Sequence, residues 1–409
     1  MNKKNLTIAT LIALSASCII FAWYRDWIII AIPSKMMLAQ TKNLAKITKK
    51  KVSLFYRKKT NTVHTAYGHE IKELLWTEYT DKNILAVLQA WATLIEEEDL
   101  LEKKITVQTA ALDVKNNELI ISFDRSPFNK HDAAFKKQGV LETLFKTLLA
   151  IQSEEFSQLQ TVRFLVHNRP MHDEHLDFSQ PWPLYNGPHE PLKLHQNSTT
   201  TFNKQPLIIV LDPAGDANHA GRSIDDVFER SITFRCAQEL KKKLEALFPA
   251  ITVYLTRFSG DAVEPLQNAV FANRLGADLY ISLSCYKETT NTSHLSLITF
   301  NYEPHYDYDM PAQSILKKPS QISLVPLHKA YREHLQETNA VAHALHDILN
   351  SPEYKNKIAV ESLRAFPYKP LLGVNTVAIG IELGLTKKDD WHFIISAITQ
   401  AFEKLLVHA

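Results

Sequence analysis

Glycine and cysteine are both scarce in this chain of 409 residues. With 10 glycines spread along it, there is no glycine-rich loop of the kind that cradles phosphates. The three cysteines, Cys18, Cys236 and Cys285, form no CxxC pair, so they supply neither a zinc-binding motif nor a disulfide framework. A charge of one sign is missing too. The 46 basic and 44 acidic side chains leave a net +2, which gives no global reason to expect a nucleic-acid partner. What the chain does have is length, more than one ordinary core accommodates, and it points to two or three domains.

The N-terminus carries one long apolar run. After Lys3-Lys4, residues 6–24 are almost wholly apolar and long enough to cross a bilayer. Small residues Ser15-Ala16-Ser17 before Cys18 also fit a cleaved secretory signal, but apolar sequence resumes at Ile19 and again over Trp27 to Ile32, which favours an uncleaved anchor over residues 1–34. A basic linker follows at 35–50 (Lys35, Lys42, Lys46, Lys49, Lys50), and with Lys51 this flank is more basic than the N-terminus and so against the usual positive-inside bias. A long following domain overrides that bias, so the expectation is a single-pass cell-membrane protein with its bulk on the extracytoplasmic side.

The stretch that organises the rest is Leu207 to Glu229, LIIVLDPAGDANHAGRSIDDVFE. An apolar run ends at Asp212-Pro213, passes through a short loop and re-enters a charged amphipathic helix near Asp225: strand, turn, helix. In an open α/β sheet, ligand chemistry sits at the carboxyl ends of the strands, so Asp212 to Glu229 is the first place to expect a site. Further strands are expected at Ile251–Leu255, Leu279–Leu283, Leu295–Phe300 and Val377–Ile381. Helices are expected between them at Ile232–Leu247, Leu266–Leu275, His334–Leu349 and Trp391–Leu406.

That stretch resembles the opening of the zinc-type N-acetylmuramoyl-L-alanine amidases, which cut the bond between the glycan and the stem peptide of peptidoglycan. VYLTR (Val253 to Arg257), ANRLGADLYISLS (Ala272 to Ser284) and TVAIGIELG (Thr376 to Gly384) continue the likeness in the family's order. The resemblance implies an open, mostly parallel twisted sheet flanked by helices over 206–409. It also implies zinc or another divalent metal, held by His, Glu and His, with a later Glu managing the proton of the metal-bound water. Carried onto this sequence those positions are Gly215, Glu229, Ser284 and Glu382, so two carboxylates remain and both imidazoles are gone. The family arginine before the Ala-Asn pair is Asn268.

Two readings follow. In one, a remodelled metal site uses Glu229 with Asp216 and His219, Glu382 is the catalytic base, and Arg222, Arg257 and Ser284 contact substrate. In the other, a non-catalytic module binds peptidoglycan or regulates another cell-wall hydrolase. The residues also have plainer roles: Asp212 and Asp216 as turn residues, His219 as an exposed loop histidine, Cys236 and Cys285 as small buried hydrophobes, and Arg257 or Arg222 as an ion-pair partner of Glu382. A nucleophilic hydrolase using Ser284 or Cys285 with His219 is a weaker rival, because nothing in the sequence fixes that histidine beside either.

Between the anchor and this domain, residues 51–170 alternate strands (Val52–Tyr56, Val107–Val114, Glu118–Phe123, Thr161–Val166) with helices (Asn83–Ile95, Val140–Ile151) and a hairpin turn at Lys115-Asn116-Asn117. The order, with NNELIISFD and TVRFLVHNRP, resembles the α+β domain of the spore-germination GerM type. Residues 171–205 read as a Pro/His-rich linker whose histidines His172, His175, His189 and His195 are exposed. Residues Tyr302 to Leu324 exceed a usual connection; the amidase resemblance implies a lid or docking segment there, and a flexible surface loop is the equal alternative.

Overall fold

The computed structural model describes residues 47–58, 67–98, 103–152, 157–184, 206–264, 266–302, 326–355 and 358–407. The expected membrane segment, most of the long connection after Tyr302 and His189 and His195 lie outside them. Among the described residues no helix is long and apolar enough to cross a membrane.

The N-terminal lobe begins with β1 (Thr48–Arg57) and β2 (Tyr67–Trp76), an antiparallel pair in register over its whole length. Alternation along β1 buries Val52 and Leu54. Helix α1 (Thr80–Glu97) buries Ile84, Val87, Leu88, Trp91, Leu94 and Ile95, the stripe that a 3.6-residue period dictates. Next come β3 (Val107–Asp113) and β4 (Glu118–Phe123), joined by a turn in which Asn117 is left-handed at φ 53° and the Asp113 carboxylate accepts the Lys115 and Asn116 N–H groups. Helix α2 (Ala134–Ile151) crosses over to β5 (Thr161–Val166), which lies parallel to β4. Two short strands, β6 (Arg169–Pro170) and β7 (Trp182–Pro183), both pair with β5 and complete a five-stranded sheet.

That last pairing corrects the expectation of an exposed linker for residues 171–184, although His172 is exposed as expected; 185–205 lie outside the described residues. Met171, Leu176, Phe178 and Trp182 are buried, and so is His175, at 4% exposure. Trp182 stacks on Phe178 with centroids 5.5 Å apart and lies 6.4 Å from Phe145. The prolines stop helix formation, but the apolar residues between them still find a core.

The C-terminal lobe is built on β8 (Leu207–Pro213). A two-strand hairpin, β9 (Ser223–Ile224) with β10 (Val227–Phe228), separates it from α3 (Glu229–Leu247). There follow β11 (Ile251–Leu255), α4 (Gln267–Leu275), β12 (Leu279–Lys287) and β13 (His294–Phe300). Then come a 3-10 segment (Leu327–His334), α5 (Leu335–Leu349), α6 (Pro352–Lys355), β14 (Ala359–Val360), β15 (Arg364–Phe366), β16 (Val377–Leu385) and α7 (Trp391–Val407). The sheet runs β11-β8-β12-β16-β13-β14, with β15 also on β13. Strands β11, β8, β12 and β16 are mutually parallel, while β13 is antiparallel to β16, so the sheet is mixed.

Period-two alternation sorts the side chains of the two central strands. Leu279, Ile281, Leu283 and Cys285 on β12, and Ile379, Ile381 and Leu383 on β16, enter a core shared with α3, α5 and α7. Tyr280, Ser284 and Tyr286, with Gly380, Glu382 and Gly384, therefore face the other way. There a second core joins Val210, Ala269, Tyr280, Phe300 and Tyr368 to Trp91, Phe145, Phe164 and Trp182 of the N-terminal lobe. Thr48–Ala409 forms one compact unit, and the polar face of the central strands lies inside it.

Candidate functional site

Glu382 and Ser284 are register partners on neighbouring strands. Glu229 reaches the same place from the first residue of α3, and all three are buried. Between the two carboxylates sits a guanidinium. Arg222, 2% exposed, donates from Nη2 to Glu382 Oε1 at 2.9 Å and from Nη1 to the Cys285 carbonyl at 3.1 Å; Nη1 is also 3.8 Å from Glu229 Oε1. Its plane lies by the Tyr286 ring, 5.8 Å from the centroid. Burial works to lower the Arg222 pKa, but Glu229 and Glu382 outweigh it and hold the group above its ordinary value, always charged.

The backbone is shaped to let this happen. Gly221 adopts φ +73°, and a Cβ there would come within 2.7 Å of Glu229 Oε2. That close approach lets the Arg222 N–H donate to Glu229 Oε2 at 3.0 Å. Gly380, two residues before Glu382, has room only for hydrogen, because the Tyr368 ring fills the space a Cβ would need; Cε1 would be 2.6 Å away. Tyr368 then meets Ser284, the two hydroxyl oxygens 3.1 Å apart.

Backbone N–H groups bond both carboxylates as well. Glu229 Oε1 accepts the Cys285 N–H at 2.8 Å. Both Glu382 oxygens accept the N–H of Ala134, at 3.0 and 2.9 Å. Ala134 opens α2, whose own N-cap, Ala133, has no side-chain acceptor, so a carboxylate from the other lobe caps the helix and meets its positive end. Phe135 packs edge-on against Tyr286 beside it. The carboxyl ends of the central strands are thus covered by the chain's own N-terminal lobe.

A divalent metal needs three or four anionic or imidazole donors converging on one point with lone pairs free. This donor set does not fit one. Among the described residues no three His, Cys, Asp or Glu side chains gather in that way, and a guanidinium already pairs with Glu382 at 2.9 Å and lies 3.8 Å from Glu229. Gly215, at the position of the first family histidine, is left-handed at φ +78° with an added Cβ 2.7 Å from the Arg230 Cβ, so a side chain there is strained and crowded.

The other expected ligands are elsewhere in role. Asp216 Oδ1 accepts the Asn218 and His219 N–H groups and Oδ2 accepts that of Val263, so its carboxylate closes its own loop. His219 contacts Asp216 with its side chain 73% exposed, not Glu229. Arg257 is not the partner of Glu382: its guanidinium donates to the carbonyls of Pro213, Ala214 and Arg230. Burial, then Glu229, pushes the Cys285 thiol well up, so it is no thiolate nucleophile, and Ser284 bonds to Tyr368 rather than to a histidine. Asn268 Nδ2 and Tyr280 Oη both donate to Asp212, at 2.6 Å each, a buried brace at the end of β8.

Sequence reasoning named Arg222 as a partner for Glu382 but missed Ala134, Tyr368 and His175. The glycines flanking Glu382 at two-residue spacing were the readable signal, since small residues on the face of a central strand leave room for rings. Nothing local marks Ala134.

His175 is part of the seal. Its ring lies 3.5 Å from Lys137 Nζ, which holds Asp173 at 2.7 Å, and its carbonyl accepts the Lys369 N–H. Burial, then the charges of Arg222, Lys137 and Lys369, hold its pKa well below 6.5, so the folded protein keeps it neutral. The unfolded chain takes up a proton that the folded one refuses. Stability is therefore full above about pH 6.5 and falls as pH drops below it, by up to about 1.4 kcal/mol per pH unit. Urea unfolding of wild type and His175→Gln at pH 7.5, 6 and 5 checks this: the variant should lose less on acidification, and parallel profiles would refute it.

Comparison with known proteins agrees with the sequence likeness. Residues 209–402 match the N-acetylmuramoyl-L-alanine amidase family, the span from β8 into α7. No curated protein matches the chain. Among solved structures, similar ones include the catalytic domain of the amidase CwlV from Bacillus (Paenibacillus) polymyxa var. colistinus, at 14% identity and TM-score 0.33, covering 50% of this chain and 99% of that one. Ami1 from Mycobacterium smegmatis is 14% identical with TM-score 0.34, covering 50% and 98%. CwlD from Clostridioides difficile, solved in complex with the GerS lipoprotein, is 14% identical with TM-score 0.34, covering 49% and 98%.

Proposed function

We propose that this chain is a non-catalytic relative of the peptidoglycan amidases, working in the cell envelope as a peptidoglycan-binding or hydrolase-regulating module. Residues 6–24 anchor it in the cell membrane, and a GerM-like domain and an amidase-like domain lie on the extracytoplasmic side. The observation that carries the reading is Arg222. A fixed, buried cation occupies the space between the two surviving family carboxylates, and the lobe that presents Ala134 closes the cleft from which substrate would come. Amide hydrolysis by a metal-bound water needs an open coordination position and a carboxylate free to take a proton. Glu382 is engaged by Arg222 and Ala134, and no histidine stands at Gly215 or Ser284. The family match over 209–402 supports peptidoglycan as the surface this fold addresses, and the apolar run at 6–24 supports the anchor.

The expected result with the full chain in detergent, dialysed against zinc, is less than stoichiometric metal by elemental analysis, no release of stem peptide from purified sacculi, and co-sedimentation with those sacculi. Stoichiometric zinc that disappears in Glu229→Ala, together with stem-peptide release, would overturn the non-catalytic reading. Failure to sediment with sacculi or to retain any cell-wall hydrolase would overturn the envelope role.

A further inference from the structure

A pocket of about 600 Å³ is lined in part by the loop that follows β8, and Arg222 is not among the residues that line it. Its wall is the outer face of the first turns of α3, with Arg230, Phe234, Arg235 and Gln238, and its floor is Arg257 beneath the loop after β11. Three arginines line it against a single carboxylate, Asp216, whose oxygens are occupied by backbone N–H groups. The three arginines differ in what they have left to give. Arg257 is spent on main-chain carbonyls, and its guanidinium lies 5.3 Å from the Phe234 ring centroid, which fixes the floor and one apolar wall. Arg230 uses Nη1 on the carbonyls of Asp216 and Ala217. Arg235 is exposed and makes no hydrogen bond or ion pair among the described residues. A planar, permanently charged fork with no partner among the described residues, lining a concavity that a second guanidinium also lines, is suited to a carboxylate taken in bidentate geometry.

We propose that this pocket binds a short peptide through its carboxylates, with Arg235 as the principal clamp, Arg230 as the second charge and Phe234 as the apolar contact. The volume lies within the range of small-ligand sites, about 300–1,000 Å³. A compact inorganic anion leaves most of that space and the Phe234 ring unused, which is why a peptide is favoured over phosphate. That the peptide is a cell-wall stem peptide rests on the function proposed above; the pocket's preference for carboxylates does not.

Calorimetric titration of the full chain tests it with four probes: a synthetic stem peptide with free carboxylates, the same peptide with every carboxylate amidated, an acidic peptide unrelated to the cell wall, and inorganic phosphate. The free-acid stem peptide should bind, its amidated form at least about ten-fold more weakly, and Arg235→Gln should lower the affinity by about ten-fold, the loss of one charge-assisted pair. Arg235 is exposed and, among the described residues, unpaired, so the variant should keep the wild-type melting temperature. Equal binding of free and amidated peptide, unchanged affinity in Arg235→Gln, or binding of phosphate alone would overturn the inference. If the unrelated acidic peptide binds and the stem peptide and sacculi do not, the pocket stands and the cell-wall reading fails. If Arg235→Gln sediments with sacculi as wild type does and neither peptide binds, the pocket inference fails while the cell-wall reading stands.

Discussion

Arg222→Leu should cost about 3–5 kcal/mol of stability, because it removes one partner of a buried ion cluster and leaves the others without compensation. Glu229 and Glu382 are both buried, and the burial of Glu229 already raises its pKa even with Arg222 beside it. With the guanidinium gone, each carboxylate keeps only backbone donors: Cys285 and Arg222 N–H for Glu229, Ala134 N–H for Glu382. The loss should therefore be conditional on the carboxylates. Adding Glu229→Gln and Glu382→Gln to Arg222→Leu removes both orphaned charges while keeping a carbonyl oxygen for the N–H donors, and should recover part of the stability. Chemical denaturation of the single and triple variants reads the difference. A single variant within about 1 kcal/mol of wild type would mean that water or a rearranged side chain already compensates the carboxylates, since a buried unpaired charge costs more than that.

The cluster shows where a sequence is legible and where it is not. Strands Glu118–Phe123, Thr161–Val166 and Ile251–Leu255 fall where their apolar runs put them, because a strand buried between layers is written in contiguous β-branched and aliphatic residues. The parallel core of the C-terminal lobe is readable for the same reason, and so are Cys236 and Cys285 as buried hydrophobes. The boundaries that moved were set by partners far away in sequence. The apolar pattern predicts helix α2 from Val140, but it begins at Ala134, whose N–H is capped by Glu382, 248 residues on. The helix expected near Asp225 starts at Glu229; Asp225 is instead the left-handed tip of the β9–β10 hairpin, at φ 53°. Strand β2 has no clear signal in the sequence, since YGHEIKELLW mixes charge with aliphatic residues and leaves Ile71 and Leu75 largely exposed. At the site, both carboxylates were legible as types at family positions. The sequence offers Arg222 as a partner for Glu382 alone; its approach to Glu229 depends on the left-handed turn at Gly221, a property of the backbone rather than of any spacing.

Trp182→Ala should destabilise the molecule by about 3–5 kcal/mol, the usual cost of emptying a large aromatic site in a core, and should do so for both lobes together. Trp182 lies in the segment whose prolines and histidines suggested a solvated linker. It packs on Phe178 and Phe145, and its indole N–H donates to the Asp177 carbonyl at 2.8 Å. Asp177 in turn ties the lobes: its N–H donates to the Pro367 carbonyl at 2.8 Å, and its Oδ2 accepts the Tyr302 hydroxyl at 2.5 Å. One residue earlier, Leu176 bridges to Tyr368, the ring that fills the space over Gly380 and meets Ser284. Trp182 thus supports the face that seals Glu382, and a cavity there loosens the cover as well as the N-terminal core. Because the cores are continuous, circular dichroism and tryptophan fluorescence should report one coincident transition in wild type and one, at lower denaturant, in the variant. If the variant instead showed two separated transitions, with the C-terminal lobe keeping its wild-type midpoint, the lobes would be independent and the seal over Glu382 a loose contact.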